Sequence, residues 1–83
     1  MNKILIKLYI PTIGFQYDVW ISSKSKVKTT IKLLVKGIQE LTYGEYYVNK
    51  LPNLYNKRTG LAYGLNETIS NTDIVTGTEL MLI

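Results

Sequence analysis

The chain has 83 residues, a formal net charge of +4, and neither cysteine nor histidine. This length suffices for one domain with a small core, and we predict a single domain over residues 1–83. Without thiols or imidazoles, disulfides, thiolate nucleophiles and conventional zinc sites are excluded. The 6 acidic residues are scattered along the chain, so the sequence predicts no enzyme, no metal and no cofactor.

Two alternating runs at the start of the chain predict a β-hairpin. Residues 4–10, ILIKLYI, and residues 15–21, FQYDVWI, place apolar side chains at every second position. The PTIG between them contains the Pro and Gly of a turn. Lys7 and Pro11 interrupt the first run, which is therefore too short for a membrane span and unlike a secretion signal. We expect a cytoplasmic protein.

The apolar period changes at residue 27, which predicts an amphipathic helix. Ser23 or Ser25 is predicted as its N-cap, because a hydroxyl can accept a hydrogen bond from a free N–H at the helix start. Gly37 lowers the helix propensity and is predicted to allow a close approach to the sheet. The apolar residues recur at intervals of three, four and seven and are predicted to face inward: Val27, Ile31, Leu34, Val35, Ile38 and Leu41.

Residues 42–53 have no clear period, and Pro52 breaks them, so a loop and a late helical turn both stay open. The following LYNKRTGLAY (54–63) predicts two short strands around residues 56–60, with Gly60 free to take a positive φ. The five tyrosines outside the hairpin are predicted to be half-buried rather than functional: Tyr43, Tyr46, Tyr47, Tyr55 and Tyr63. A place in an apolar patch on the sheet also stays open for Tyr55.

The end of the chain predicts a short helical turn held by Ile69 and Ile74, followed by a strand over TELMLI (78–83). The predicted order is therefore ββ-α-β-β-turn-β. A hairpin, a helix and returning strands fit an α+β arrangement in which one helix packs on one face of a mixed sheet. The apolar last strand, with Leu80 and Leu82 toward the helix, would lie in the middle of that sheet.

The same alternation predicts an apolar patch on the sheet face away from the helix. A solvated sheet face is mostly polar, and an apolar patch interleaved with charges such as Lys7 and Asp18 is typical of a partner site. The face could also be buried in a homodimer, or the indole could fold over the sheet edge and pack there. The candidate partner-binding residues are Leu5, Tyr9, Trp20, Met81 and Ile83.

Three lysines, Lys28, Lys32 and Lys36, share the outer side of the predicted helix. A basic face can bind nucleic acid or an anionic membrane surface. It can equally be a solvated helix face that keeps the protein soluble. We favour the solvated face, because Arg58 is the single arginine and does not accompany these lysines. Nucleic acid is therefore not the predicted partner.

Several stretches resemble the ubiquitin-like β-grasp superfamily. TISNTDIVTGTELML (68–82) resembles the segment in which a short helical turn precedes the last strand, and VKTTIKLL (27–34) resembles the start of the family's helix. Within the superfamily, FQYDVWI, KVKTTIKLLV and NTDIVTGTELMLI are most similar to the YukD/EsaB group of bacterial type VII secretion. The resemblance covers nearly the whole chain and implies a ubiquitin-like β-grasp fold.

The resemblance also implies a function. It points to a non-enzymatic, cytoplasmic adaptor or regulatory component of a type VII secretion system that binds another component through the Trp20 face. Ubiquitin uses the corresponding face, with its patch built on the last strand, where Met81 and Ile83 lie here. Conjugated relatives extend past that strand to a Gly-Gly pair, and this sequence stops at Ile83 without one, so we expect no conjugation. The alternative function is a nucleic-acid-binding regulatory protein that uses the lysine-rich helix.

Overall fold

The computed structural model describes residues 2–83. In that range the elements are β1 (Lys3–Ile10), β2 (Phe15–Ser22), α1 (Val27–Leu41), β3 (Leu54–Asn56), a 3₁₀ turn (Ile69–Asn71) and β4 (Glu79–Leu82). The sheet order is β2-β1-β4-β3, with β1 and β4 parallel and the other neighbours antiparallel. The predicted α+β arrangement of one helix against a mixed sheet is confirmed.

The hairpin and the last strand lie where the alternation predicted them. β1 pairs with β2 from Lys3 opposite Ser22 to Ile10 opposite Phe15, and the turn closes where the N–H of Gly14 donates to the carbonyl of Ile10 (2.9 Å). β4 lies between β1 and β3, so the final strand is central. Pairing with β1 on one side and β3 on the other fixes the register of β4. Its side chains therefore alternate between the buried face and the outer face of the sheet.

The core lies between the sheet and α1, and strands, helix and 3₁₀ turn all contribute to it. Burying these side chains supplies the main driving force for folding, at roughly 25 cal/mol per Å² of apolar surface. The members that are wholly buried are Ile6, Leu8, Ile10, Val27, Ile31, Leu54, Ile69, Leu80 and Leu82.

The predicted serine N-cap is wrong. The N-cap residue is Lys26, and it makes no side-chain capping bond within residues 2–83. Instead the N–H of Val27 donates to the carbonyl of Glu67 (2.8 Å), and the N–H of Lys28 donates to that of Leu65 (3.0 Å). A distant loop thus satisfies the free donors of the first turn, which is why no local signal marks this end.

Two predictions about α1 are also wrong. Leu41 was assigned to the buried stripe, yet it is 62% exposed, because it is the last residue of the helix and lies beside the open end of the core. Gly37 was expected to permit a close approach, yet no described atom lies within 4 Å of a Cβ built on it. Gly37 is an exposed helical glycine that faces open space.

Gly37→Ala is therefore expected to stabilise the protein. The methyl group meets no described neighbour, and replacing a helical glycine by alanine gains up to about 1 kcal/mol, partly by restricting the unfolded chain. Urea denaturation followed by far-UV circular dichroism measures the gain. An unchanged or lower free energy of unfolding would contradict the open geometry at this position.

Residues 42–53 form a turn and then an irregular segment with a bend at residues 49–50, rather than further helix. Tyr43 (φ 53°) and Gly44 (φ 83°) take left-handed conformations that end the helix, and the N–H of Gly44 donates to the carbonyl of Gln39 (2.8 Å). Of the five tyrosines predicted to be half-buried, Tyr55 and Tyr63 are half-buried. Tyr46 is buried, whereas Tyr43 is 95% exposed and Tyr47 is exposed.

The second of the two short middle strands is reduced to one bridge between Tyr55 and Ala62. The turn between them is built on buried Asn56, whose Oδ1 accepts hydrogen bonds from the N–H groups of Arg58 (2.9 Å) and Thr59 (3.2 Å). Gly60 has the expected positive φ of 74°. Main-chain hydrogen bonds close the same turn, from the N–H of Asn56 to the carbonyl of Leu61 (2.9 Å) and from the N–H of Tyr63 to the carbonyl of Leu54 (2.9 Å).

Two successive side-chain hydrogen bonds connect this turn to Asp73, which follows the 3₁₀ turn. Asn56 Nδ2 donates to the Tyr63 hydroxyl (3.1 Å), and that hydroxyl donates to Asp73 Oδ1 (2.6 Å). Burial first, and then the hydrogen bond to Asp73, raise the pKa of Tyr63 from its usual 10.0 to about 12. The protonated hydroxyl is thus the form that the folded protein stabilises.

The raised pKa predicts a loss of stability in alkali. Unfolded Tyr63 loses its proton near pH 10 and folded Tyr63 near pH 12, so its contribution is complete below about pH 10 and disappears by about pH 12. The stability difference between wild type and Tyr63→Phe should therefore narrow across this window. Urea titrations at several pH values measure this difference. Burial also raises the pKa of Tyr46, but Tyr46 is present in both proteins, so its effect cancels in the comparison. A constant difference would contradict the prediction.

Candidate protein-binding surface

The strand register determines which side chains share the outer face, meaning the sheet face away from α1. Leu5 lies opposite Trp20, and Tyr9 lies opposite both Gln16 and Met81. Met81 in turn lies opposite Tyr55 on β3. The register therefore places four of the five candidate residues on this face, and the alternation after buried Leu82 places Ile83 there as well.

A row of charges crosses the middle of the outer face. Lys7 lies opposite Asp18 on one side and Glu79 on the other, and the N–H of Lys57 donates to the carbonyl of Glu79 (3.0 Å). The signs alternate along the row, so opposite charges are neighbours, an arrangement that stabilises a sheet. The predicted single patch is therefore divided into two.

The smaller part, called here the tryptophan patch, consists of Leu5 and Trp20. Trp20 is 59% exposed although it belongs to a strand. It lies on the edge strand and also borders an apolar cavity of about 150 Å³ whose far wall is Leu33 and Leu34 of α1. Trp20 thus reaches both the outer face and the sheet edge, the two positions that the sequence left open.

The larger part, called here the tyrosine patch, consists of Tyr9, Met81 and Tyr55, all half-buried. The Nζ atom of Lys57 lies 5.0 Å from the centroid of the Tyr9 ring, a cation–π contact worth about 0.5–1 kcal/mol at an exposed site. Because this lysine already covers the ring, Tyr9 is less available to a partner than Trp20 is.

Ile83 is two residues beyond Met81 on the same face, so it lies next to the tyrosine patch and away from the tryptophan patch. Its N–H donates to the carbonyl of Asn53 (3.1 Å) and its carbonyl accepts from the N–H of Asn53 (2.9 Å), so its main chain is paired in the sheet. Its exposed side chain borders a cavity of about 290 Å³ with Val48, Leu51 and Pro52. A partner that covers Trp20 would need to span the whole outer face to reach Ile83.

The three candidate lysines of the helix, Lys28, Lys32 and Lys36, are all exposed. Their exposure agrees with the predicted solvated helix face, and nucleic-acid binding by this face stays the alternative. In residues 2–83 no group of three or more His, Cys, Asp or Glu side chains is placed to hold a metal ion. Neither is any described helix sufficiently long and apolar to span a membrane.

Among the exposed apolar residues that the sequence did not single out, Leu33 is the one beside Val19 on the helix side of the sheet. Leu33 is 63% exposed on α1, where its side chain forms a wall beside Val19 of β2. A signal for it was present in the sequence, since Leu33 is apolar at a position outside the buried stripe. Buried Leu34 and Val35 follow it directly, so the run of three apolar residues does not show which of them is exposed.

No protein-family model matches this sequence, and no curated protein matches it. Solved structures do match. The ubiquitin-like domain of the Mycobacterium tuberculosis type VII secretion system protein EccD1 is 14% identical, with a TM-score of 0.77, covering 100% of this chain and 99% of that chain. The EccD5 ubiquitin-like domain from Mycobacterium xenopi is 15% identical, with a TM-score of 0.78, covering 100% of this chain and 94% of that one.

A chain of the MycP5-free ESX-5 inner membrane complex also matches, at 15% identity and a TM-score of 0.81. All of this chain is covered, but it spans 21% of the length of that much longer chain. At these identities the likeness establishes the fold. The protein has the ubiquitin-like β-grasp fold that the sequence predicted.

Proposed function

We propose that this ubiquitin-like domain is a non-enzymatic, cytoplasmic component of a type VII secretion system that acts as an adaptor or regulatory subunit. Support comes from its likeness to the ubiquitin-like domains of EccD1 and EccD5 over nearly their full lengths. A further matching chain belongs to an inner membrane secretion complex, so another component of such a complex is the proposed partner. Membership of the YukD/EsaB group, on the three stretches quoted above, is part of the proposal.

The observation that carries a binding role is the exposure of Trp20 beside Leu5 on the outer face. When a partner covers a large aromatic side chain that a strand leaves in water, the loss of exposed apolar surface stabilises the complex. Tryptophan is also the residue type most enriched among the anchors that dominate interface energies. The proposed contact therefore centres on the tryptophan patch, and the tyrosine patch and Ile83 extend it.

The proposed action is non-covalent binding rather than conjugation. The main chain of Ile83 makes hydrogen bonds to Asn53 in both directions, which holds residue 83 in the sheet. The exposed apolar side chains of the outer face support a proposal of binding to a protein partner.

Affinity capture from the native host tests the proposal. Wild-type protein is expected to retain a secretion-system component, and Trp20→Asp is expected to lose it because a carboxylate would be buried in the contact. Tyr43→Asp is the matched control, since it changes another exposed aromatic residue, in the turn after α1. Capture of no secretion component, or equal loss with the control, would contradict the proposal. Retention of nucleic acid regardless of Trp20 would favour the lysine-rich helix.

A further inference from the structure

Five lysines lie on and just before α1, and binding through the outer face gives them no role. Lys28, Lys32 and Lys36 are exposed and four residues apart, so they form a row along one side of the helix, with about 6 Å between successive positions along its axis. Lys24 and Lys26, also exposed, extend this row beyond the start of α1. Half of the 10 basic residues of the chain therefore lie between residues 24 and 36.

Two acidic residues lie near the lysine row, one at each end. Glu67 lies near its start, since its carbonyl accepts a hydrogen bond from the N–H of Val27 (2.8 Å), and its carboxylate accepts one from the N–H of Gly64 (2.9 Å). Glu40, four residues after Lys36, lies near its end. The five lysines outnumber these two carboxylates, so the solvent side of α1 attracts anions.

Exposed leucines accompany the lysines. Leu33 is 63% exposed and lies three residues before Lys36, a spacing that makes the two side chains neighbours on the helix surface. Leu65 is also exposed, and its carbonyl accepts a hydrogen bond from the N–H of Lys28 (3.0 Å) at the start of the row. Lysines beside exposed apolar side chains are typical of helices that lie on a membrane surface.

We propose that the lysine row and Leu33 bind the surface of an anionic phospholipid membrane, with α1 lying along the bilayer. The ammonium groups contact the lipid phosphates, and each lysine close to such a surface contributes roughly fivefold in affinity. The leucine side chain enters the boundary between headgroups and acyl chains, where its apolar surface leaves water.

The same lysines would attract nucleic acid, but two observations favour lipid. Arginine, whose planar guanidinium suits phosphate in a two-bonded geometry, is absent from the row, and Arg58 lies in the turn after β3. Leu33 would find no apolar counterpart along a phosphate backbone, whereas a bilayer can bury it. An anionic membrane therefore complements both the charge and the apolar surface of this side of α1.

Binding of this kind would orient the domain. The solvent side of α1 and the outer face of the sheet are opposite sides of the molecule, because the outer face is the one away from the helix. Leu5 and Trp20 would then face away from the bilayer, open to a protein partner. The inference thus goes beyond the proposed function and does not depend on it.

Co-sedimentation of the full chain with lipid vesicles tests the inference. Vesicles of equal parts phosphatidylglycerol and phosphatidylcholine are expected to bind the protein, and pure phosphatidylcholine vesicles are expected to leave it in solution. Binding should weaken as salt is added, because screening reduces the attraction. The fluorescence emission of Trp20, the single tryptophan, should not shift to shorter wavelength on binding, because its side of the domain stays in water.

Two triple variants that remove equal charge separate the lysine row from net charge alone. The variant of the row should lower vesicle affinity by about hundredfold, and the control, on residues in and near the turn after β3, should stay within about threefold of wild type. Circular dichroism checks that both fold. The row variant combines Lys28→Gln, Lys32→Gln and Lys36→Gln, and the control combines Lys50→Gln, Lys57→Gln and Arg58→Gln.

A pair of leucine variants tests the apolar part of the contact. Leu33→Ala should lower vesicle affinity by about fivefold or more, because less apolar surface enters the bilayer. Leu61→Ala removes the same atoms from another exposed leucine and should leave affinity within about twofold. Equal affinities of these two variants would mean that Leu33 stays in water and would overturn its part in the proposal.

Four further outcomes would overturn the inference. These are no sedimentation with anionic vesicles at low salt, equal binding to phosphatidylcholine vesicles, equal losses for the two triple variants, and a shift of Trp20 emission to shorter wavelength. Binding of duplex DNA without binding of vesicles would replace the membrane with nucleic acid. Because the row variant leaves the outer face unchanged, failure here is distinguishable from failure of the proposed function.

Discussion

Leu80→Ala is expected to lower the free energy of unfolding by about 3 kcal/mol, within the usual range of about 2–5 kcal/mol for a buried leucine. Leu80 is wholly buried in the central strand β4, opposite Leu8 on β1 and Asn56 on β3. Strands on both sides prevent collapse of the cavity. Domains of this size are only marginally stable, so urea denaturation followed by circular dichroism should show a population that is partly unfolded before much urea is added.

Leu61→Ala is the matched control, since it removes the same atoms from an exposed leucine. Its effect should be within about 0.5 kcal/mol, as for most surface substitutions. A loss below about 1 kcal/mol for Leu80→Ala, or equal losses for the two variants, would mean that β4 is not at the centre of the core.

The hairpin and the central last strand could be predicted because each depends on local alternation. In residues 4–10 and 15–21 the same apolar set that faces the helix also fixes the register, and a shift by one residue would turn every side chain to the other face. The burial of Leu80 and Leu82 follows from the same rule. The core was therefore readable in the sequence wherever its elements are periodic.

The wrong predictions depend on contacts that are distant in the sequence. The start of α1 is capped by the carbonyls of Leu65 and Glu67, about forty residues away along the chain, so no serine is needed. Leu41 has the right period for burial, but the core ends before it does. Periodicity gives the direction of a side chain and says nothing of whether the neighbouring layer extends that far.

The candidate surface was partly predictable for the same reason. Alternation assigns Leu5, Tyr9, Trp20 and Met81 to one face, and the register agrees. That Lys7 falls between Asp18 and Glu79, dividing the face, depends on how three strands are aligned. The cavity that Trp20 borders depends on which strand is at the sheet edge, and this is a property of topology that no single stretch encodes.

Trp20→Ala is expected to weaken binding to the captured partner by about thirtyfold or more, the loss typical of an aromatic hot spot. Met81→Ala should cost less, because Met81 is already half-buried and belongs to the tyrosine patch, where Lys57 covers the neighbouring Tyr9 ring. Isothermal titration calorimetry against the captured component measures both losses. Equal effects of the two changes would mean that the tyrosine patch contributes as much as the tryptophan.

A double-mutant cycle then distinguishes one continuous patch from two. Leu5 lies directly opposite Trp20, so their truncations should be coupled by about 0.5 kcal/mol or more. Trp20 and Met81 are separated by the row of Asp18, Lys7 and Glu79, so their effects should add within about 0.5 kcal/mol. Coupling of Trp20 to Met81 as strong as its coupling to Leu5 would mean that a partner displaces the charged row and joins the two patches. Additivity would mean that the partner contacts the two patches independently, one on each side of the charged row.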